Sequence, residues 1–229
     1  DKDKMITISQ FNLKEIINQT IFSTAPNDNN KMMTGELFEV SDNTLKVVGL
    51  DGHRIAIRSI QLEGRADDVK AVVPGKTLQE ISKLMSTDAE NMVNIYFTNN
   101  HILFEFDNTI VVSRLIEGEY FKINQMLSSD YETKVVINKK EFIGSIDRAN
   151  LLITESEKKP IIINITDGSL EVTVNSSKGK FNEDINIKKE GKDLMIGFNP
   201  KFLMDALRVI DDENVDIYLV NPKAPCFIR

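Results

Sequence analysis

The chain repeats one pattern of predicted elements, and this duplication restricts the fold more than any other feature of the sequence. The segment KVVINKKEFIGSIDRANLL, which begins at Lys134, matches MITISQFNLKEIINQTIF near the start, so that Ile137 corresponds to Ile8 and Ile146 to Ile17. Further along, IIINITDGSLEVTV matches LFEVSDNTLKVV, and VDIYL matches VNIYF. The displacement stays near ~125 residues, which is too long for a solenoid repeat and suits a duplicated domain.

Each copy has the order strand, helix, strands, helix, strands. Alternating apolar residues predict short strands, and apolar residues at spacings of three and four predict amphipathic helices. Asn and Asp at the predicted turns favour antiparallel hairpins. The sequence therefore predicts an α+β fold in which each copy packs two helices on antiparallel sheets. The predicted helices cover residues 10–22, 75–87, 139–152 and 199–210.

One hairpin, LKVVGLDGHRIAIRSI at residues 45–60, carries the most informative local pattern. Its Asp-Gly pair at 51–52 favours a tight turn between two strands. After the turn, Ile55 and Ile57 alternate with polar or small residues, as in a strand that has one buried face. We therefore expect both isoleucines on the buried face of this strand.

Composition limits the kinds of site that the chain can carry. The 229 residues include one cysteine, Cys226, and two histidines, so an internal disulfide is excluded and a Cys/His zinc site is disfavoured. No apolar run approaches the ~18 residues of a membrane span, and the first residues do not resemble a signal peptide. We expect a cytoplasmic protein without metal, cofactor or membrane partner.

Three motifs carry a family resemblance. The segments DGHRIAI at 51–57, EGEY at 117–120 and GFNPKFLMDAL at 197–207 resemble, in this order and spacing, the bacterial sliding clamp, the β subunit of DNA polymerase III. The resemblance implies tandem DNA-clamp domains, a central one at 1–121 and a C-terminal one at 122–229. It also implies that the family's N-terminal domain is absent, while comparison of the two copies predicts that the second one stops one strand short.

The resemblance further implies a DNA-replication processivity factor and not an enzyme. In the family, complete chains form a homodimeric ring that encircles double-stranded DNA without sequence preference. DNA polymerase, the clamp loader and repair proteins dock on this ring through short linear motifs. Because the ring joint uses the first domain, we expect these 229 residues alone to be monomeric.

The charge distribution is compatible with such a ring, whose helices line the hole. The formal net charge is −7, whereas the four predicted helices carry 0, +1, +1 and +1, which leaves −10 on the remainder. Basic helices on an acidic body would hold phosphates loosely. The alternative is that these are merely solvated helix faces. The predicted DNA-facing residues are Lys76, Lys83, Lys139, Arg148, Lys201 and Arg208.

The resemblance also implies a groove for partner peptides between the two domains. Apolar residues would line it and polar residues would form its rim, although simple packing of the domain junction would explain the same residues. The family's usual proline is Phe121 here, and a common apolar neighbour is Lys223, so we expect modest affinity. The predicted groove residues are Met33, Leu50, Gly52, His53, Arg54, Ile55, Phe121, Met126, Asn199 and Phe202.

Two functions of other classes remain open on the sequence. His53 lies close to Asp51, and a small-molecule enzyme using this pair would need a deep pocket around the histidine. No motif places a serine or cysteine nucleophile near it, and turn formation already explains the Asp-Gly pair. The other alternative is a protein-interaction scaffold of duplicated α+β domains with no role on DNA.

Overall fold

The computed structural model describes residues 4–229, which form two compact units. Unit 1 ends at Ile123 and unit 2 begins at Asn124, two residues beyond the boundary expected from the sequence. The reason is packing, because Tyr120 and Ile123 are both buried in an apolar cluster of unit 1.

Unit 1 contains eight strands and two helices within the described residues. Its strands are β1 (Lys4–Ser9), β2 (Gly35–Ser41), β3 (Thr44–Leu50), β4 (Ile55–Gln61), β5 (Val69–Pro74), β6 (Met92–Phe97), β7 (His101–Phe106) and β8 (Thr109–Arg114). Its helices are α1 (Gln10–Asn18) and α2 (Gly75–Leu84). All pairings are antiparallel, in two sheets of order β1-β6-β7-β8 and β4-β3-β2-β5.

Unit 2 repeats this order in a single seven-stranded antiparallel sheet, β13-β10-β11-β12-β9-β14-β15. Its strands are β9 (Thr133–Asn138), β10 (Ile161–Thr166), β11 (Ser169–Ser176), β12 (Gly179–Gly191), β13 (Leu194–Phe198), β14 (Asn214–Leu219) and β15 (Phe227–Ile228). Its helices are α3 (Lys139–Asn150) and α4 (Pro200–Arg208).

The long strand β12 makes unit 2 one sheet where unit 1 has two. Residues 179–186 of β12 pair with β11, and residues 187–191 pair with β9. In unit 1 the corresponding connection is interrupted after β4 and is reduced to an isolated bridge between Ile6 and Ala66. The two units therefore share one topology. The strand that joins the two parts of the sheet is continuous in unit 2 and broken in unit 1.

The helices pack in pairs on the sheets and close one core in each unit. Leu13, Ile16 and Ile17 of α1 lie in the unit 1 core with Leu78 and Ile81 of α2. In unit 2 the same layer is formed from α3 and α4, with Phe142, Ile146, Leu203 and Leu207 buried. The α+β fold with two helices per copy is thus confirmed.

Every helix ends earlier than the apolar spacing predicts. The predicted helix 10–22 stops at Asn18 and is followed by a short 3-10 helix, Ile21–Ser23. The buried hydroxyl of Thr20 donates to the Ile16 carbonyl oxygen at 2.7 Å, a local bond that competes with continued helix. Three helix starts carry a side-chain cap, since Ser9, Asn138 and Asn199 each accept a backbone N–H, whereas α2 begins after Pro74 without one. Among residues 4–229, no helix is long and apolar enough to cross a membrane.

Candidate functional site

The loop between β3 and β4 is fixed by one aspartate. The connection is not a two-residue turn but spans residues 51–54, because β3 ends at Leu50 and β4 begins at Ile55. Asp51 Oδ1 accepts the backbone N–H of His53 at 2.7 Å and that of Arg54 at 2.9 Å. Asp51 Oδ2 also accepts from Arg54 Nε at 3.2 Å. These bonds tie the backbone and the arginine side chain of the loop to one carboxylate.

Three polar or small residues of this loop reach its surface to different extents. His53 is exposed, and Arg54 is half-buried with its guanidinium 5.5 Å from the centre of the Phe22 ring. A Cβ added at Gly52 would meet nothing within 4 Å, so packing does not require glycine there. The loop therefore presents an open backbone flanked by one imidazole and one oriented guanidinium.

The expected burial of Ile55 and Ile57 is wrong. Both are 37% exposed, whereas Ala56 between them is 9% exposed and pairs with Gly49 on the face that meets Thr20 and Ser23. The register pairs Leu50 with Ile55 and Val48 with Ile57, so the isoleucines lie on the outer face of the sheet. That face is also covered by apolar residues, but the cover does not extend over the edge strand β4. The result is an apolar edge open to solvent beside the loop.

The outer face of the β4-β3-β2-β5 sheet carries a second apolar cluster, separate from the core of unit 1. Three predicted groove residues, Met33, Leu50 and Phe121, belong to it. We call it the outer cluster. Its buried members are Leu37, Val48, Leu50, Val72, Tyr120 and Ile123, and Met32, Met33, Ile116 and Phe121 pack against them.

Tyr120 anchors this cluster and was not among the predicted residues. Its hydroxyl donates to the Val48 carbonyl oxygen at 3.3 Å, and its ring meets Phe121 edge to face at 5.4 Å. Burial, with a smaller contribution from the charge of Glu36, raises the pKa of this phenol well above its usual range. The EGEY motif already contained Tyr120, so an apolar anchor could have been inferred from that segment.

The remaining groove residues lie in unit 2. Asn199 caps α4, where its Oδ1 accepts the Lys201 N–H at 3.0 Å. Phe202 is half-buried in the first turn of α4, while Leu203 beside it is buried in the core. Met126 follows the short 3-10 helix Ile123–Gln125 and is 45% exposed. Unit 2 therefore presents an exposed methionine, a half-buried aromatic ring and a polar cap.

Four of the six predicted DNA-facing residues are engaged within their own unit. Their partners are either carboxylates or a carbonyl oxygen at a helix end. The pairs are Lys83 with Glu80 at 2.7 Å, Arg148 with Glu183 (Nε to Oε2 at 2.9 Å), Arg208 with Asp147 at 3.5 Å, and Lys139 with the Ile210 carbonyl. The hydrogen bond to Glu183 raises the pKa of Arg148 and lowers that of Glu183.

The other two DNA-facing residues, Lys76 and Lys201, lie in the first turns of α2 and α4 and are exposed. The shorter helices contain the same charged residues as the predicted ones, so their net charges remain 0, +1, +1 and +1. Among the six predicted residues, positive charge that is not offset by a partner within residues 4–229 is thus found at fewer positions than the sequence suggests.

The enzyme alternative needs a deep pocket around His53, which is an exposed residue. A cleft of about 1400 Å³ in unit 1 is bordered by Lys70, His101 and Glu117 among others, but not by His53. Within residues 4–229, no group of three or more His, Cys, Asp or Glu side chains is arranged to hold a metal ion.

Two family models match the chain in order and cover nearly all of it. The model for the central domain of the DNA polymerase III beta subunit matches residues 7–122. The model for the C-terminal domain of the same protein matches residues 124–229.

Individual relatives agree with these matches. The beta sliding clamps of Staphylococcus epidermidis and Staphylococcus aureus are each 34% identical over 230 aligned residues, which cover all of this chain. The chain spans 61% of the length of these curated relatives. A crystal structure from Eubacterium rectale aligns with a TM-score of 0.97 at 66% identity, over 100% of this chain and 62% of that one. The Bacillus subtilis DNA polymerase sliding clamp aligns with a TM-score of 0.96 at 31% identity, over 100% and 61%.

Proposed function

Because the chain belongs to the DNA polymerase III beta subunit family, we propose that it supplies the central and C-terminal domains of a DNA sliding clamp. The clamp would be a non-catalytic processivity factor that acts in the cytoplasm, with a complete chain that closes as a homodimeric ring. The observation that carries this proposal is the ordered match of both domain models over residues 7–122 and 124–229.

The proposed DNA contact is electrostatic and independent of sequence. The net positive charge of α2, α3 and α4, set against an acidic remainder, supports loose attraction of phosphates by the helices and repulsion elsewhere. Lys76 and Lys201 would contribute most, since both are exposed. Arg148 and Arg208 would contribute less, because Glu183 and Asp147 neutralise them.

The proposed protein contact is a docking site for short linear motifs of DNA polymerase, the clamp loader and repair proteins. In unit 1 the open edge at Ile55, the outer cluster and the fixed loop 51–54 offer apolar lining beside oriented polar groups. In unit 2 Phe202, Met126 and Asn199 offer the same combination. We propose that each set can contribute to the binding of such a peptide.

Two departures from the family pattern should weaken this binding. Phe121 is half-buried against the outer cluster, so its ring is partly used in packing and is only partly available to a ligand. Lys223 is exposed, and its backbone N–H donates to Asn221 Oδ1 at 2.8 Å. A charged side chain at this position offers less apolar surface than the family's usual residue, so we expect a modest peptide affinity.

A single-encounter primer-extension assay tests the proposal. The whole protein is supplied with DNA polymerase and clamp loader on a primed circular template, with trap DNA present so that each polymerase binds once. Products should be much longer with the protein than without it. Products of equal length, in an assay where a known clamp and its loader lengthen them, would contradict the proposed function.

A further inference from the structure

Unit 1 encloses a carboxyl group that is unpaired within the described part of the chain. Glu36 of β2 is 0% exposed. Among residues 4–229, neither oxygen of its carboxyl has a hydrogen-bond partner. An ionised carboxylate in such a place is strongly disfavoured, whereas a protonated one is tolerated.

The groups around Glu36 are polar but already occupied. The register that pairs Leu37 with Val48 places Gly49 beside Glu36 on the core face of the sheet. Next to this pair, the Ser23 hydroxyl donates to the Gly49 carbonyl oxygen at 2.9 Å. The hydroxyl proton of Thr20 is likewise used, since it is donated to the Ile16 carbonyl. Both hydroxyl protons are directed at carbonyl oxygens, so Thr20 offers the Glu36 carboxyl only a weak contact, which opposes the effect of burial on its pKa.

The duplicated unit shows that the fold does not require Glu36 or the small and polar residues around it. The repeat alignment gives each of these positions an apolar counterpart in unit 2 that is buried or half-buried in the core. The corresponding pairs are Thr20 with Ala149, Ser23 with Leu152, Thr24 with Ile153, Glu36 with Ile161, and Gly49 with Val174. Glu36 is therefore a feature of unit 1 and not of the domain architecture.

In the part of unit 1 that the structure describes, no charged side chain of the neighbouring elements compensates Glu36. A negative charge on Glu36 would contribute to the raised pKa of the Tyr120 phenol. Glu39 of the same strand, with Lys46 of β3 and Lys70 of β5, lies on the opposite face of the sheet, where the three form ion pairs. The exposed or half-buried charges of the helical layer are Lys14 and Glu15 of α1, Lys31 before β2, and Lys76, Glu80 and Lys83 of α2.

We propose that Glu36 holds a proton in folded unit 1 and so makes the contact between the short 3-10 helix Ile21–Ser23 and the end of β3 depend on pH. Ionisation needs water at the carboxylate, and the contact between Ser23 and Gly49, which lies beside Glu36, would open to admit it. Because β3 runs directly into the loop 51–54, opening at Gly49 reaches the candidate peptide site.

The direction of the pH dependence follows from the two states. Burial raises the pKa of Glu36 from 4.5 to about 8, against a smaller opposing effect of Thr20. We call the state with Ser23 packed on Gly49 closed, and the state with water at the Glu36 carboxyl open. Between pH 4.5 and about 8, the closed state keeps a proton on Glu36 that the open state releases. The closed state therefore loses stability as pH rises, roughly tenfold in the opening equilibrium per pH unit, and the loss levels off above about 8.

Hydrogen exchange of the whole chain at pH 5.5, 6.5 and 7.5, followed by mass spectrometry, tests this proposal. After correction for intrinsic exchange, opening of peptides that cover residues 16–24 and 45–50 should rise about tenfold per pH unit. In Glu36→Gln, which cannot ionise, the same peptides should show no such rise. Peptides from β10 and β11 provide an internal control, since Ile161 replaces the glutamate there.

Glu36→Ile, which copies the residue of unit 2, serves as a second variant in case the glutamine disturbs packing. It should also remove the pH dependence of residues 16–24 and 45–50. Equal pH dependence in the parent and in either folded variant would overturn the proposal. Loss of the fold in both variants would overturn it as well, because a neutral carboxyl should be replaceable by the neutral, nearly isosteric glutamine amide.

Discussion

Leu50 and Ile55 face each other across the β3–β4 hairpin, yet Leu50 is 3% exposed and Ile55 is 37% exposed. The pair marks the place where the outer cluster of unit 1 gives way to an uncovered edge strand. An apolar residue held at such a boundary, next to a loop fixed by hydrogen bonds, is suited to receive an apolar anchor from a partner.

The first prediction concerns that anchor. Ile55→Asp and Phe202→Ala should each weaken binding of a labelled Gln-Leu-x-Leu-Phe-type peptide to the whole protein by more than ~1 kcal/mol. Fluorescence titration measures the change. Ile110→Asp is a matched control, because Ile110 is 63% exposed on β8 of the other unit 1 sheet and should bind like the parent. If Ile55→Asp and Phe202→Ala stay folded and also bind like the parent, the site lies elsewhere.

The second prediction concerns the loop. Asp51→Ala removes the acceptor of two backbone N–H groups and of Arg54 Nε, and should destabilise unit 1 by about 1–3 kcal/mol. Asp51→Asn keeps one acceptor oxygen and should lose less. Urea unfolding of both variants gives the order, and peptide titration should follow it. An equal loss in Ala and Asn would show that charge, not the loop hydrogen bonds, dominates.

The third prediction separates exposed cations that have no ion pair within residues 4–229 from exposed cations that are paired with carboxylates. A plot of log affinity against log salt has a negative slope. Lys76→Ala combined with Lys201→Ala should make this slope shallower by up to about 1.8, at roughly 0.9 per phosphate contact. Arg148→Ala with Arg208→Ala should change it less, since Glu183 and Asp147 already pair with these arginines. All four changes together should weaken DNA binding further. Anisotropy titrations in a salt series measure the slopes, and the reverse order would contradict the assignment.

The fourth prediction tests the fold of unit 2. Gly191 ends β12 with φ +92°, and a Cβ there would lie 1.9 Å from the Glu132 carbonyl oxygen. Gly168 also has positive φ, +71°, but a Cβ there would meet nothing within 4 Å. Gly168→Ala should cost about 1–2 kcal/mol of stability from backbone strain alone. Gly191→Ala should cost clearly more in denaturant unfolding; similar losses would mean that β12 shifts without penalty.

The sequence predicts the order of elements well because hydrophobic period and cap chemistry are local. Asn199, for example, is predicted and observed as the cap of α4. The sequence pattern misplaces Ile55 and Ile57. A period of two shows that side chains alternate between the two faces of the sheet, but it does not show which face is buried when both have apolar neighbours. Ala56 is the residue on the face that meets Thr20 and Ser23.

The candidate site is less predictable because its properties depend on distant partners. Arg148 reads as a free cation on α3, yet its carboxylate partner Glu183 lies 35 residues away on β12. Tyr120 belongs to a sequence motif, yet what holds it in place is a hydrogen bond to the carbonyl oxygen of Val48, 72 residues earlier. Nothing in the pattern around Glu36 distinguishes a buried acid from an exposed one; its contrast with Ile161 becomes informative once both positions are seen to be buried.

The proposed sliding clamp is tested most directly by its topology on DNA. The whole protein is loaded on a nicked circular duplex, passed through a sizing column at high salt, and measured before and after the circle is cut once. A ring held by encirclement should stay with the circle despite the salt and leave after linearisation. Loss from the intact circle at high salt, or equal retention on cut DNA, would contradict the account.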